Sequence, residues 1–130
     1  MRILAIDIGT GTQDILLFDS ARAPENCVKM IMPAPTAILA DRVRAATAER
    51  RALALTGVTM GGGPLGWAID EHLKQGLPVY ATADAARTLD DDLNAVTERG
   101  VRLIAQADDA PPAACRLELR DLDLPAIAAA

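Results

Sequence analysis

Asp7, Gly9, Thr10, Gly11, Thr12 and Asp14 crowd into the short stretch between two apolar runs, Ile3 to Ile8 and Ile15 to Phe18. Runs of this length bounded by a turn predict two strands of a hairpin. Glycine accepts backbone angles closed to other residues and carries no side chain, so consecutive amides in Gly9-Thr10-Gly11-Thr12 can point together at an anion, with the threonine hydroxyls as further donors. A carboxylate inside an apolar strand must reach a strand end, a cation or ordered water, which makes Asp7 the candidate catalytic and metal-facing residue. The chemistry implied is a seat for phosphate beside a cation; the plainer alternative is an ordinary hairpin loop. Neither common phosphate fingerprint applies, because no Gly-Lys-Thr/Ser follows the glycines and a strand rather than a helix comes next.

A second candidate is Gly61-Gly62-Gly63-Pro64, between a predicted strand and a predicted helix, where open α/β sheets place ligand loops. Three glycines also suit a tight turn, and the pattern alone leaves both readings open. Trp67 reads as a core residue of the following helix, and His72 near that helix's end as a partner for its dipole rather than a catalyst. Asp90, Asp91 and Asp92 read as the acidic first turn of a helix, with Thr88 in the same turn, because consecutive helical carboxylates point in different directions. Cys27 and Cys115 stand alone in sequence, which predicts free thiols rather than a disulfide framework or a zinc or iron–sulfur site.

These residues need a scaffold, and the composition allows one domain with a real core: 130 residues, 51% hydrophobic and 24% charged. Only Phe18, Trp67 and Tyr80 are aromatic, so Leu, Ile, Val and Ala must fill the interior, which suits close packing of helices on a sheet. A net charge of −5 argues against nucleic acid as a partner, despite the local basic group Arg42, Arg44, Arg50 and Arg51. No run approaches a membrane span and no signal-peptide pattern opens the chain, so the expected location is the cytoplasm. Beyond the hairpin, Val28 to Met32 predicts a third strand closed by Pro33 and Pro35, and Thr36 to Arg51 a helix with Thr36 as N-cap. Strand, helix and strand then follow over 52–59, 65–75 and 77–82. A helical turn at 83–87, a helix at 89–99, and extended segments at 101–105 and 116–119 come next. Leu122 to Ala130 reads as the opening of an apolar helix, as though the chain were a fragment of a longer one. The order βββαβαβα predicts a mixed sheet, an antiparallel meander continued by parallel strands, in the ribonuclease H-like arrangement.

Ile6-Asp7-Ile8-Gly9-Thr10-Gly11-Thr12-Gln13-Asp14 resembles the first phosphate loop of the actin, Hsp70 and sugar-kinase superfamily. Together with Glu25 to Lys29, Met60 to Pro64 and Tyr80 to Thr88, it is similar to an uncharacterised prokaryotic family of actin-like proteins. Members of that family carry the name putative pyruvate formate-lyase activating enzyme. A radical-SAM activase needs a Cys-x3-Cys-x2-Cys motif, which Cys27 and Cys115 cannot supply, so the name is discounted as chemistry.

The resemblance implies one half of an actin-like ATPase fold, with ATP and Mg²⁺ as cofactors. It would place Asp7 on Mg²⁺ through water, Gly9 to Thr12 on phosphate, and Asp14 as an additional candidate. The second phosphate loop and adenosine site would belong to a missing C-terminal half of the same fold. The expected function is therefore the nucleotide- or phosphate-binding half of an actin-like ATPase or phosphotransferase of unknown substrate, weak by itself for want of donors. The alternatives are a ribonuclease H-like metal-dependent nuclease, poorly supplied with converging acids, and a non-catalytic binding module.

Overall fold

The computed structural model describes residues 1–130. β1 (Arg2–Ile8), β2 (Thr12–Asp19) and β3 (Val28–Pro33) form an antiparallel meander. α1 (Pro35–Ala48) leads to β4 (Leu53–Gly57), α2 (Gly63–Lys74), β5 (Val79–Thr82), α3 (Ala83–Arg87) and α4 (Leu93–Glu98). β6 (Val101–Ile104), β7 (Cys115–Leu119) and α5 (Leu124–Ala129) complete the chain. The strands after the meander make a parallel sheet in the order β6-β5-β4-β7. The protein is thus α/β as expected, but the single mixed sheet is divided in two. β7 pairs with β4 in parallel, Leu55 opposite Leu117, and occupies the flank that the meander would need in order to join.

The parallel sheet carries the core. β4 lies between two neighbours with Leu53, Ala54 and Leu55 fully buried, the near-continuous apolar pattern of a strand covered on both faces. α1 contributes Leu39, Ala40, Val43 and Ala46, and α2 contributes Leu65, Ala68 and Ile69, to one cluster that also holds Val79, Ala81, Leu117 and Leu119. Small residues at Ala40 and Ala68 let these helices approach the sheet closely. α1 starts one step earlier than its sequence suggests: Ala34 is the N-cap, Pro35 opens the first turn, and Thr36 is buried with its hydroxyl donating to the Thr10 carbonyl. The buried face of α2 is Leu65, Ala68, Ile69 and His72. Trp67 falls on the other side and is 70% exposed, which corrects its reading as core.

The meander is far less covered. Ile15 and Gln13 are buried, and the Gln13 amide donates to the Pro33 carbonyl at 3.0 Å. Met1, Ile3, Leu4, Leu17, Val28 and Ile31 remain exposed. No helix is long and apolar enough to cross a membrane.

His72 is wholly buried, its Nδ1 2.8 Å from the Thr47 hydroxyl and its Nε2 3.4 Å from the Pro78 carbonyl. It is a core group rather than a surface partner of the helix dipole. Desolvation lowers its pKa from 6.5, opposed by the Pro78 hydrogen bond. The folded state therefore holds the ring neutral where the unfolded chain would take a proton. That contribution is present above pH 6.5 and is lost as pH falls below it toward the lowered folded value. Urea midpoints measured from about pH 7.5 down to about pH 5.5 should fall less steeply in His72→Gln than in the parent. Gly57 supplies a second test, because its φ is +72° and a Cβ there would stand 2.2 Å from the Leu119 carbonyl oxygen. Gly57→Ala should cost about 3 kcal/mol in urea unfolding.

Candidate functional site

The loop between β1 and β2 is held by its carbonyls. Gly11 O accepts from the Ala34 amide at 3.0 Å, and Thr10 O accepts from Thr36 Oγ1. Thr12 O accepts from the Gly9 amide at 2.9 Å, closing the hairpin. The Gly9 N–H is therefore spent inside the turn and leaves the predicted donor set. The amides of Thr10 and Gly11 have no partner in the chain and remain free to bind an anion, as do the hydroxyls of Thr10 and Thr12.

Asp7 and Asp14 are opposed across β1 and β2, and both are exposed. Like charges placed directly opposite one another repel, and neither takes part in an ion pair. Lys29 lies diagonally from Asp14, opposite Leu16 on β3. These side chains, with Leu16 and Ile31, line a hollow of about 390 Å³ on the open face of the meander. No group of three His, Cys, Asp or Glu side chains is positioned to hold a metal. Two carboxylates still suffice for Mg²⁺, which is commonly bound by one or two of them together with substrate phosphates and water.

The second glycine loop leaves the carboxyl end of β4. The Asp121 carboxylate, just beyond β7, accepts from Thr59 Oγ1 at 2.8 Å and from the Met60 amide at 2.6 Å. Gly62 then adopts φ 79° and ψ −167°, open in practice to glycine alone, and Gly63 starts α2 at φ 62°. No side chain caps α2, and the amides of Gly61, Gly62, Gly63 and Leu65 have no partner within the chain. Uncapped amides at the positive end of a helix dipole attract oxyanions.

The two loops meet. A Cβ on Gly63 would stand 3.1 Å from the Thr10 Cβ, and one on Gly61 would stand 2.6 Å from the Thr88 carbonyl oxygen. One hollow of about 580 Å³ is lined by Gly11, Thr12 and Pro64, with the Asp41–Arg44 pair of α1 at 2.9 Å on its side. A neighbouring cleft of about 490 Å³ lies past the ends of β4 and β5, lined by Gly61, Gly62, Asp84, Arg87, Thr88 and Asp91 among others. Thr88 is only 9% exposed and its hydroxyl has no partner. Asp92 does cap α4, accepting from the Asn94 amide at 2.9 Å, while Asp90 accepts from the Asp92 amide. That helix accordingly starts at Leu93 rather than Leu89. Sequence reasoning missed Asp121 altogether and placed Thr88 in a helix turn. Neither carries a local signal, because each matters only through segments far away in sequence.

Fold and site together define an α/β protein in which two amide-rich glycine loops converge beside the amino ends of α1 and α2. Residues 60–130, more than half of the chain, match the family described as Putative pyruvate format-lyase activating enzyme (DUF1786), and the chain belongs to that family. The matched segment opens at the Gly61–Gly63 loop and contains both Thr88 and Asp121. No curated protein and no solved structure gives a match.

Asp121→Ala removes the clasp on Thr59 and Met60. It should lower stability by about 1 kcal/mol and speed amide exchange across residues 59–63, measured by hydrogen–deuterium exchange, while exchange in α1 stays unchanged.

Proposed function

We propose that this chain is the nucleotide- or phosphate-binding half of an actin-like ATPase or phosphotransferase, built on a ribonuclease H-like plan and working in the cytoplasm. The observation that carries the reading is the contact of Thr10 with Gly63. It sets the free amides of Thr10 and Gly11 beside the uncapped amides of Gly61, Gly62, Gly63 and Leu65. Fixed donors converging from two loops can stabilise phosphate oxygens without reorganising when charge develops on them.

In this reading Thr10, Gly11 and Thr12 hold the terminal phosphates from the hairpin side, and the Gly61–Gly63 loop holds them from the α2 side. Thr88 offers a desolvated hydroxyl to whatever enters the adjoining cleft. Asp7 and Asp14 hold Mg²⁺ through water, and that ion supplies neutralisation of phosphate charge when bound. Ile3 and Ile31, on the face of the meander that carries Asp7 and Asp14, face the second half of the same fold, which brings the adenosine site and the second phosphate loop. The acceptor of any transferred phosphoryl group is left open. No buried general base stands in either cleft, since His72 is enclosed between α1 and the start of β5, so the half by itself binds and does not turn over.

Isothermal titration with ATP and ADP, with and without Mg²⁺, tests this. Weak saturable binding of Mg·ATP is expected, reduced at least about tenfold by Gly63→Val and stripped of its Mg²⁺ preference by Asp7→Asn combined with Asp14→Asn. Gly66→Ala, inside α2 where a Cβ meets nothing within 4 Å, should fold normally and bind as the parent does, and serves as the structural control. Absence of binding by ATP, ADP and inorganic phosphate alike would overturn the reading, and Mg²⁺-dependent cutting of structured RNA lost in Asp7→Asn would replace it with a nuclease.

A further inference from the structure

We infer that the protein has a separate binding site for a small organic anion, beside the outer edge of β7 and away from both glycine loops. A cavity of about 400 Å³ lies there between α1, β7 and the start of α5. Its lining brings together three guanidinium groups, Arg42 from α1 and Arg116 and Arg120 from the β7 segment. Only two carboxylates accompany them, Glu118 and Asp123. Asp108, outside the lining, pairs with Arg116, so acidic and basic groups are equal in number around the cavity.

The carboxylates are already engaged. Glu118 pairs with Arg120 at 2.8 Å, and Asp123 accepts from the Ala126 amide at 3.1 Å as the cap of α5. Arg116 is paired with Asp108 at 2.7 Å, outside the cavity lining. Arg42 enters none of the seven ion pairs and makes no side-chain hydrogen bond. A guanidinium left without a partner beside two half-exposed ones is suited to the bidentate recognition of carboxylate or phosphate.

The main chain adds donors. The Cys115 amide donates to Ala52 O at 2.7 Å, and Leu119 O accepts from the Val58 amide at 3.1 Å. Odd-numbered residues of β7 therefore turn their peptide groups toward β4, and in a parallel ladder the intervening Arg116 and Glu118 turn theirs outward. β7 ends the sheet, so those N–H groups face an open edge. The other wall is apolar: Pro35, Ile38 and Leu39 of α1 with Pro125 of α5. The residues Pro35, Ile38, Leu39 and Arg42 follow the spacing of one helical face. Apolar surface at Ile38 and Pro125 beside the unpaired guanidinium of Arg42 suits a ligand with an oxyanion head and a short hydrocarbon body.

The plainer account is that charged residues guard an exposed sheet edge against pairing with another chain, and the two accounts make different predictions. Hexanoate, hexyl phosphate, acetate and inorganic phosphate are titrated into ¹⁵N-labelled protein while the Arg116 and Glu118 amides and the arginine side-chain N–H signals are followed. Saturable shifts at these positions are expected, separate from any that the two phosphates cause at the glycine-loop amides, with the six-carbon ligands binding at least about tenfold more tightly than their bare headgroups. The comparison of hexanoate with hexyl phosphate identifies the preferred head. Arg42→Gln and Arg120→Gln should each weaken binding about tenfold, and Arg22→Gln, which removes a charge from the β2–β3 turn, should leave it unchanged. Absence of saturable shifts for all four probes, or equal affinity in the parent and in both arginine variants with native circular dichroism, would overturn the proposal. Loss of Mg·ATP binding at the glycine loops would not bear on it.

Discussion

Everything near the candidate site depends on how the chain leaves β4. Gly57 passes so close to the Leu119 carbonyl that a methyl group would overlap it, and the Val58 amide immediately donates to that same oxygen at 3.1 Å. Two residues later the Asp121 carboxylate fixes Thr59 and Met60. β7 therefore acts as more than a fourth strand: its carboxyl end aims the glycine loop. Were that exit free, Gly61 to Gly63 would have too many backbone states to arrive at Thr10 in one of them, and the entropy of ordering three consecutive glycines would fall on the ligand.

The same constraint sorts donors from acceptors. On the hairpin loop the carbonyls of Thr10, Gly11 and Thr12 are consumed by Thr36, Ala34 and Gly9. On the α2 side a helix begins without a cap. Both loops keep unpartnered amides close to where Gly63 approaches Thr10, while the carboxylates of Asp7 and Asp14 lie one step back on the meander. Acids set directly among the free amides would satisfy them internally, as Asp92 and Asp123 do at α4 and α5. α1 and α2 both start without a side-chain cap, whereas α3, α4 and α5 are capped, and at α2 this leaves unpartnered amides.

Much of the scaffold was legible because its signals are local. Short apolar runs and turn residues predicted the three strands of the meander, and helical spacing found α1 and α2 within a few residues. The exposure of Trp67 was misread although its signal is local: Leu65, Ala68, Ile69 and His72 define the buried stripe of α2, and Trp67 is off it. Three things were not legible. Which strand lies beside β4 is a contest between β1 and β7 that strand propensity cannot decide, and it divided the expected single sheet in two. Asp90 and Asp92 bond backbone amides in their own turn, which delayed α4 beyond the start its apolar spacing predicts. The buried hydroxyl of Thr88 and the clasp of Asp121 belong to long-range contacts that leave no trace in neighbouring residues. Of the site itself, the glycine loops were found; their meeting was not.

The family name raises a different chemistry, and the thiols bear on it directly. An activase of the radical-SAM kind requires three thiolates on one short loop, spaced to converge on iron. This chain has two cysteines. Cys27 is buried in the turn before β3, with its sulfur 3.5 Å from the Asp19 amide. Cys115 begins β7 in the other sheet, its amide bonded to Ala52. One sits in a turn of the meander and the other in the parallel sheet, so bringing them onto one loop would require dismantling either the meander or the β4–β7 ladder. The matched residues 60–130 hold instead a glycine loop, an uncapped helix and the carboxylate that holds the loop in place. In the proposed reading those features bind an oxyanion through backbone amides, a task in which cysteine has no part.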